Sequence, residues 1–252
     1  METLFIGSNI IFLPEVNSTN SYAIELLKNV NVVEGTVIHA AHQTQGKGQR
    51  GNSWEAQIAS NLTTSIVLKP SFLELKNQFF LYQITALACY DLMAELLNNS
   101  QYDIKIKWPN DILVNKKKIA GILIENSITH STLNYSVIGI GININQLFFK
   151  DGINATSLNT ICNKEFDINV ILKLLCKHLE NYYLKLKNNK FDIITQSYLE
   201  HLYGINSWLN FEIKNELKTF LVKGINKNGL LILQDKIGNE TDYDLKEIKW
   251  LM

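Results

Sequence analysis

Hydrophobic and polar positions along this chain change period several times, and each change marks a predicted element. Residues 9–16 read as a strand. The polar run Asn17, Ser18, Thr19, Asn20 then supplies capping side chains for a helix whose apolar positions are Tyr22, Ile24, Leu26 and Leu27. Residues 36–42 predict a second strand that runs directly into the loop QTQGKGQRGNSWE. A β-branched stretch at 61–70 ends at Pro70, and residues 77–98 carry a helical apolar face through Phe80, Ile84, Leu87, Leu92 and Leu96. Three further strands fill 102–145: the alternating YDIKIKW, the hairpin DILVNKKKIAGILIE turning at Asn115 and Lys116, and NYSVIGIGININ. A hairpin inside this order requires an antiparallel or mixed sheet.

Residues 168–203 are helical by period, with a stripe through Ile171, Leu172, Leu175, Leu179, Tyr182 and Tyr183 and a break near Asn188 and Asn189. From about 205 the pattern shortens to KTFLVKGI, GLLILQD and TDYDLKEIKWL, separated by KNG and IGN turns, which predicts a small β-barrel. The fold class expected is therefore α/β of the α+β kind. A mixed sheet flanked by helices would occupy 1–204, and a small β domain 205–252.

Composition narrows the function classes. Lysine plus arginine (24) balances aspartate plus glutamate (24), so no global basic field draws nucleic acid or an anionic membrane, and cationic chemistry has to be local. Cys89, Cys162 and Cys176 are far apart, odd in number and set among apolar residues; this opposes a disulfide framework or a metal site and fits a reducing, cytoplasmic compartment. The N-terminus carries Glu2 where a secretory signal would be positive, and no uninterrupted apolar run is long enough for a membrane span. His39, His42, His130, His178 and His201 lack metal-ligand spacing, and no GxSxG elbow occurs, so no histidine is assigned a catalytic part.

Four segments concentrate the remaining chemistry. GKGQRG (46–51) sets Lys47, Gln49 and Arg50 among three glycines, a backbone able to wrap an anion, although its spacing is neither that of a P-loop nor that of a dinucleotide fingerprint; a plain surface turn explains it equally well. KWPND (107–111) ends a strand at Pro109 and holds Asn110 and Asp111 on a stiff bend; a carboxylate beside a lysine suits metal binding or proton transfer, but Lys107 and Asp111 standing alone are more often a simple ion pair at a strand end. KKIAGILIE (117–125) offers Lys118 to a pocket and strips a side chain at Gly121, while Lys116 and Lys117 read as a solvated hairpin tip. GIGININ (139–145) bares one strand face to backbone and ends on the amide of Asn143, which also fits a buried, satisfied asparagine.

In their order and spacing, STN (18–20), Gln43 with GKGQRG and Trp54, KWPND, KKIAGILIE and GIGININ resemble the biotin protein ligase family, over about residues 10–200. The tail is similar to that family's small SH3-like C-terminal domain. The resemblance implies a class II synthetase-like fold and a two-step reaction, in which biotin and ATP give biotinyl-5′-adenylate and a lysine of a biotin carboxyl carrier protein then takes the biotinyl group. It implies Ser18, Thr19, Asn20, Gln43, Lys47, Gly48, Gln49, Lys118 and Gly121 for biotin, and Arg50, Trp54, Asn110 and Asn143 for the nucleotide. Lys118, Arg50, Asp111 and Lys47 would act in catalysis, with Mg²⁺ accompanying ATP and Asp111 beside the incoming amine. The metal ligands are not specified, and a homodimer through exposed sheet edges is a family habit.

The chain departs from the family in two ways. The loop of the family commonly reads GRGRRG, whereas Lys47 keeps charge without the guanidinium fork and Gln49 loses the charge. Some relatives carry an N-terminal winged helix-turn-helix, but here the catalytic pattern starts near Met1, so no DNA binding is expected. The rival readings are a lipoate or octanoate ligase or transferase on the same fold and a non-catalytic biotin sensor.

Overall fold

The computed structural model describes residues 3–97, 101–129 and 131–251; the side chain of Arg50, like His130, lies outside that description. Seven strands form one mixed sheet: β1 (Ile10–Val16), β2 (Val37–Gln43), β3 (Leu62–Leu68), β4 (Ile104–Lys107), β5 (Asp111–Val114), β6 (Lys117–Thr129) and β7 (Thr132–Ile142). Their spatial order is β1-β2-β3-β7-β6-β5-β4. Only β1 and β2 are parallel, as a crossover through helix α1 (Thr19–Asn29) requires; the other pairs are antiparallel.

The two faces of the sheet are covered unequally. One packs Leu62, Ile66, Ile122, Ile138 and Ile140 into the main core with helices α2 (Phe79–Leu97) and α4 (Ile168–Lys187). On the other face α1 covers only a patch, where Ala23 meets Ile38, Val67 and Val137. Helix α2 is apolar nearly all round, the composition of a helix buried inside a protein. The segment Leu75–Leu97 is long and apolar enough to cross a membrane, yet 67% of that window is buried against the rest of the chain.

The helical stretch after 168 breaks as its pattern predicts. Asn189 takes a left-handed φ of 55°, and α4 gives way to α5 (Phe191–Glu200). The short helix α3 (Leu158–Cys162) was not anticipated, because five residues are too few to show a period. After α5 comes an antiparallel five-stranded sheet in the order β11-β10-β9-β8-β12. Its strands are β8 (Trp208–Ile213), β9 (Glu216–Ile225), β10 (Leu231–Gln234), β11 (Glu240–Tyr243) and β12 (Ile248–Trp250). β8 is an addition to the sequence reading, and TDYDLKEIKWL divides into β11 and β12 at a turn closed by Glu247 N–H donating to Asp244 O at 2.9 Å.

Backbone contacts bind the two sheets together. Ile106 N donates to His201 O at 2.9 Å, and Tyr203 N donates to Ile106 O at 2.8 Å. The buried Trp108 donates its Nε1–H to Gly229 O at 2.8 Å. Gly229 holds a φ of +83° directly against the Phe79 ring, where a side chain would collide, so the β9–β10 turn is fitted to that surface.

At the other end of the molecule, the carboxylate of Glu180 on α4 is 5% exposed and accepts from Leu4 N (2.6 Å), Phe5 N (2.8 Å) and Ile6 N (2.9 Å). Three backbone donors thus share one buried anion. Glu180→Ala should lower unfolding free energy by about 3 kcal/mol, the order expected for charge-assisted bonds lost at once. Urea denaturation would measure this, and a loss within error of zero would mean the N-terminal segment contributes nothing to global stability.

Candidate active site

Where α1 stops covering the second sheet face, the strands turn to glycine. Gly121 pairs with Gly141 across β6 and β7, and Gly141 with Thr63 on β3; one step along, Leu123, Gly139 and Ser65 form the next row. A side chain at Gly141 would collide with the Trp54 indole, and one at Gly139 with the Asn20 amide. Above this bare patch lies a cavity of about 420 Å³. It is lined by both ends of the loop 47–54, the start of α1, the β4–β5 turn and strand β12.

One end of the cavity is a neutral hydrogen-bonding floor. Ser18 caps α1, and Thr19 and Asn20 follow, all three buried. Gln43 Oε1 accepts from Thr19 N (2.8 Å) and Thr19 Oγ1 (3.0 Å). A backbone N–H can only donate, so this fixes the amide and leaves Gln43 Nε2 as a donor to a ligand. Asn20 Nδ2 donates to Glu125 Oε2 at 2.8 Å, and Ser65 Oγ lies within donating distance of Asn20 Oδ1 (2.6 Å) and Thr19 Oγ1 (2.7 Å). The floor is therefore rigid before any ligand arrives.

The other end is charged. Lys118 Nζ lies 2.6 Å from Asp111 Oδ1. Strict alternation from Gly121 would put Ile119, not Lys118, on the cavity side. A bulge prevents this: Ile112 pairs with Ala120 but Leu113 pairs with Lys118, so Ile119 is absorbed into the core and Lys118 joins the Gly121 face. The hairpin turn beyond it uses Asn115 and Lys116 at φ 49° and 65°, the two left-handed residues of a tight hairpin. Lys107, opposite Asp111 in register, is the third charge. Burial lowers its pKa most; Asp111 opposes that shift and Lys118 adds to it.

The loop closes the cavity as a small hairpin. Gly48 N donates to Asn52 O (2.7 Å) and Trp54 N to Gly46 O (2.9 Å), with a 3₁₀ turn at Gln49–Gly51 between them. Gln49 Nε2 donates to Tyr82 Oη on α2 at 3.3 Å, tying the loop tip down. Trp54 sits under the loop with Lys118 Nζ 5.6 Å from its ring centroid.

Of the residues singled out from the sequence, Ser18, Thr19, Asn20, Gln43, Lys47, Gly48, Gln49, Trp54, Asn110, Asp111, Lys118 and Gly121 all line this one cavity. The Arg50 side chain is outside the described residues. Asn110 spends its Nδ2 on Ile122 O at 3.0 Å and so steadies the β4–β5 turn as well as facing the cavity. Asn143 is not among the lining residues: β7 ends at Ile142, and the buried Asn143 amide donates to Thr156 O at 3.0 Å. No histidine is among the lining residues.

Other lining residues carry a weaker signal in the sequence or none. Lys107 was seen only as half of an ion pair, although the alternation of IKIK, with its isoleucines buried, already sends both lysines to the opposite face. Thr63 gave a signal in the polar alternation of NLTTSIV. Lys249 and Trp250 of β12 gave none, because only the tertiary fold brings them here.

Among the described residues no group of three or more His, Cys, Asp or Glu side chains gathers for a metal, and Asp111 is the one carboxylate on the cavity wall. That donor set fits a divalent ion carried in on phosphates, with most ligands from phosphate and water.

Residues 12–143 match the model of the biotin/lipoate A/B protein ligase family. The bifunctional ligase/repressor BirA of Bacillus subtilis (strain 168) is 30% identical over 249 residues, covering 96% of this chain and 74% of that protein. The biotin--[acetyl-CoA-carboxylase] ligase of Mycobacterium tuberculosis is 28% identical over 174 residues, 69% of this chain and 64% of that one. Among solved structures, the biotin protein ligase from Aquifex aeolicus in complex with biotin and ATP superposes with a TM-score of 0.78 at 27% identity, covering 96% of this chain and 98% of that chain.

The lysine pair makes a titration prediction. The depressed pKa means that folding disfavours charged Lys107, so this group costs stability below its folded-state pKa, and the cost fades as pH rises toward the unfolded value of 10.5. Asp111→Asn should lower the Lys107 pKa further, and Lys118→Met should raise it. Side-chain NMR of the lysine Cε and Nζ nuclei would follow both, and shifts of the opposite sign would refute the three-charge arrangement.

Proposed function

The chain belongs to the biotin/lipoate A/B protein ligase family, and we propose that it is a biotin protein ligase that activates biotin with ATP and transfers it to a lysine of a biotin carboxyl carrier protein. The observation that carries this reading is a single cavity with a fixed neutral hydrogen-bonding floor at one end and Lys118, Lys107 and Asp111 at the other. A ureido ring needs donors and acceptors held still, and a carboxylate needs a cation. Biotin carries both groups at opposite ends of an apolar chain, and the Trp54 indole, seated on the Gly121–Gly141 pair, gives that chain an apolar wall.

In the first step a biotin carboxylate oxygen attacks the α-phosphorus of ATP. The bond from that phosphorus to the bridging oxygen breaks, and pyrophosphate leaves with the electron pair. Anion meets anion, so Lys118 and Lys107 on the cavity wall, with Lys47 on the loop, reduce the repulsion. Mg²⁺ bound to the phosphates would add to that screening. The nucleotide lies toward the loop and Trp54, and the tethered loop keeps water from the mixed anhydride. In the second step a carrier lysine nitrogen attacks the biotinyl carbonyl carbon, the bond to the phosphate oxygen breaks, and AMP leaves. Asp111, oriented by Lys118, accepts the ammonium proton.

The same reading extends to organisation and partners. Residues 1–204 hold biotin and ATP; 205–252 contribute Lys249 and Trp250 to the cavity rim, where an incoming carrier would be met. Strand β1 is one edge of the large sheet and exposes Ile10 and Phe12, which supports self-association by strand addition. The three free cysteines agree with a cytoplasmic setting.

Pyrophosphate exchange into ATP should depend on biotin and not on lipoate or octanoate. Exchange with lipoate instead would assign the lipoate branch of the family, and no exchange with any of the three acids would leave a biotin sensor. Lys118→Ala should lower biotin-dependent exchange roughly 100- to 1000-fold, the loss typical of one group that stabilises developing charge. Gln49→Arg, which restores a family arginine beside the phosphates, should lengthen the half-life of the enzyme-bound adenylate; an unchanged half-life in single-turnover release would rule that role out.

A further inference from the structure

Alternation from Gly121 and Leu123 puts Glu125 on the α1 side of β6, where its register partner is Val137 of the small apolar cluster under that helix. A carboxylate in such a place needs a partner, and Asn20 is that partner. Its Nδ2 donates to Glu125 Oε2 at 2.8 Å and, with the second proton, reaches Leu123 O at 3.4 Å. Asn20 lies in the first turn of α1, which has no acidic residue of its own, so the anion that favours a helix N-terminus comes from the sheet instead. An ionised carboxylate and a carbonyl oxygen can only accept. The Asn20 amide is therefore held with Nδ2 toward β6 and Oδ1 toward Ser65 on β3.

That orientation leaves the cavity floor short of a proton. Three oxygen pairs lie within hydrogen-bond distance: Thr19 Oγ1 with Gln43 Oε1 at 3.0 Å, Thr19 Oγ1 with Ser65 Oγ at 2.7 Å, and Ser65 Oγ with Asn20 Oδ1 at 2.6 Å. Only Thr19 and Ser65 bring hydroxyl protons to these pairs, because Gln43 and Asn20 present carbonyl oxygens. However the two protons are shared, one pair is left as acceptor facing acceptor. Turning the Asn20 amide over would supply the missing proton, but it would set Oδ1 against the Glu125 carboxylate and the Leu123 carbonyl. The floor thus stays rich in acceptors, and Thr19, Asn20 and Gln43 all line the cavity. An N–H on a ligand is the group that meets the shortage.

We propose that Glu125 is a positioning residue that sets ligand specificity: by holding the Asn20 amide it keeps the floor rich in acceptors and so selects a ring that carries N–H donors next to its carbonyl. This rests on the biotin reading, since a cyclic urea offers its carbonyl to Gln43 Nε2 and an N–H to the oxygens of the floor. Glu125 is not among the lining residues, so it acts through Asn20 and Ser65. A dithiolane ring has neither an N–H nor a carbonyl and gains nothing from this arrangement.

Calorimetric titration of the full chain with biotin and with its two ring carbamates, each having one ureido N–H replaced by oxygen, tests the assignment. The wild-type chain should bind biotin at least roughly 5-fold more tightly than the weaker carbamate, the loss expected when an acceptor is left unpaired. Glu125→Met frees the Asn20 amide to turn and donate to Ser65, and should bring biotin and that carbamate within about 2-fold of each other. Asn20→Leu should do the same by another route, because the Thr19 and Ser65 protons then suffice for the pairs that remain. Glu125→Gln keeps an acceptor for Asn20 and should keep the preference. A role in packing alone would weaken both ligands equally and leave their ratio as it was. An unchanged ratio in Glu125→Met or, should that variant not fold, in Asn20→Leu would overturn the proposal. Loss of the preference in Glu125→Gln, or equal binding of biotin and both carbamates by the wild type, would overturn it too. No binding of biotin at all would instead overturn the biotin reading itself.

Discussion

Side chains such as the Trp54 indole and the Asn20 amide can seat directly on a β-sheet only where the sheet gives up its own side chains, and that constraint organises this molecule. At Gly121, Gly139 and Gly141 the two central strands forgo packing and backbone restraint, at roughly 0.5–1 kcal/mol each. The same strands recover it on the opposite face, where Ile122, Ile138, Ile140 and Ile142 are buried against α2 and α4. Alternation therefore divides one pair of strands into a fully packed side and an open side. Placing α1 over Val67, Val137 and Gly139 but short of Gly121 and Gly141 leaves a cavity, and the N-terminal cap of α1 lands where its polar side chains form the cavity floor.

The charged end depends on breaking that alternation once. Without the bulge between Ile112 and Leu113, a strand that buries Ala120 and Ile122 would also bury position 118, and a lysine there would face the core. The inserted residue reverses the side of everything before it, so the chain gains one inward cation while Ile119 pairs with no residue of β5. Asp111 then serves two neighbours: it pairs with Lys118 and partly offsets the burial of Lys107. A site that brings two anions together has to concentrate cations beforehand, and cations crowded near one carboxylate are the electrostatic form of that preparation.

Legibility followed the range of the interactions. The glycine-bared face of GIGININ, the turn at Asn115 and Lys116, and the helix break at Asn188 and Asn189 are encoded within a few residues, and the structure has all three. The polar floor was legible by residue type and family resemblance, although the mutual bonding of Gln43, Thr19, Asn20 and Ser65 joins segments up to 46 positions apart. Asn143 continues the alternation of Gly139 and Gly141, but the strand stops one residue earlier and its amide donates to Thr156 O, a contact that no local pattern shows. Lys107 was visible but undecidable, since a lysine opposite an aspartate looks alike as a surface pair and as a cavity wall. Strand β8 and helix α3 were missed for want of a clear period.

The second sheet was the least readable part of the site, and its contacts show why it belongs there. A tethered accessory module would meet the catalytic domain through side chains alone. Here Ile106 exchanges backbone hydrogen bonds with His201 and Tyr203, so the connection to the second sheet is itself paired to strand β4. Trp108, next in line, spends its indole N–H on the β9–β10 turn, and β12 brings Lys249 and Trp250 to the cavity rim. The segment carrying Lys107 and Asp111 is thus held from both sides. Displacement of the second sheet would release Ile106 and Trp108 together, and with them the spacing of Lys107, Asp111 and Lys118.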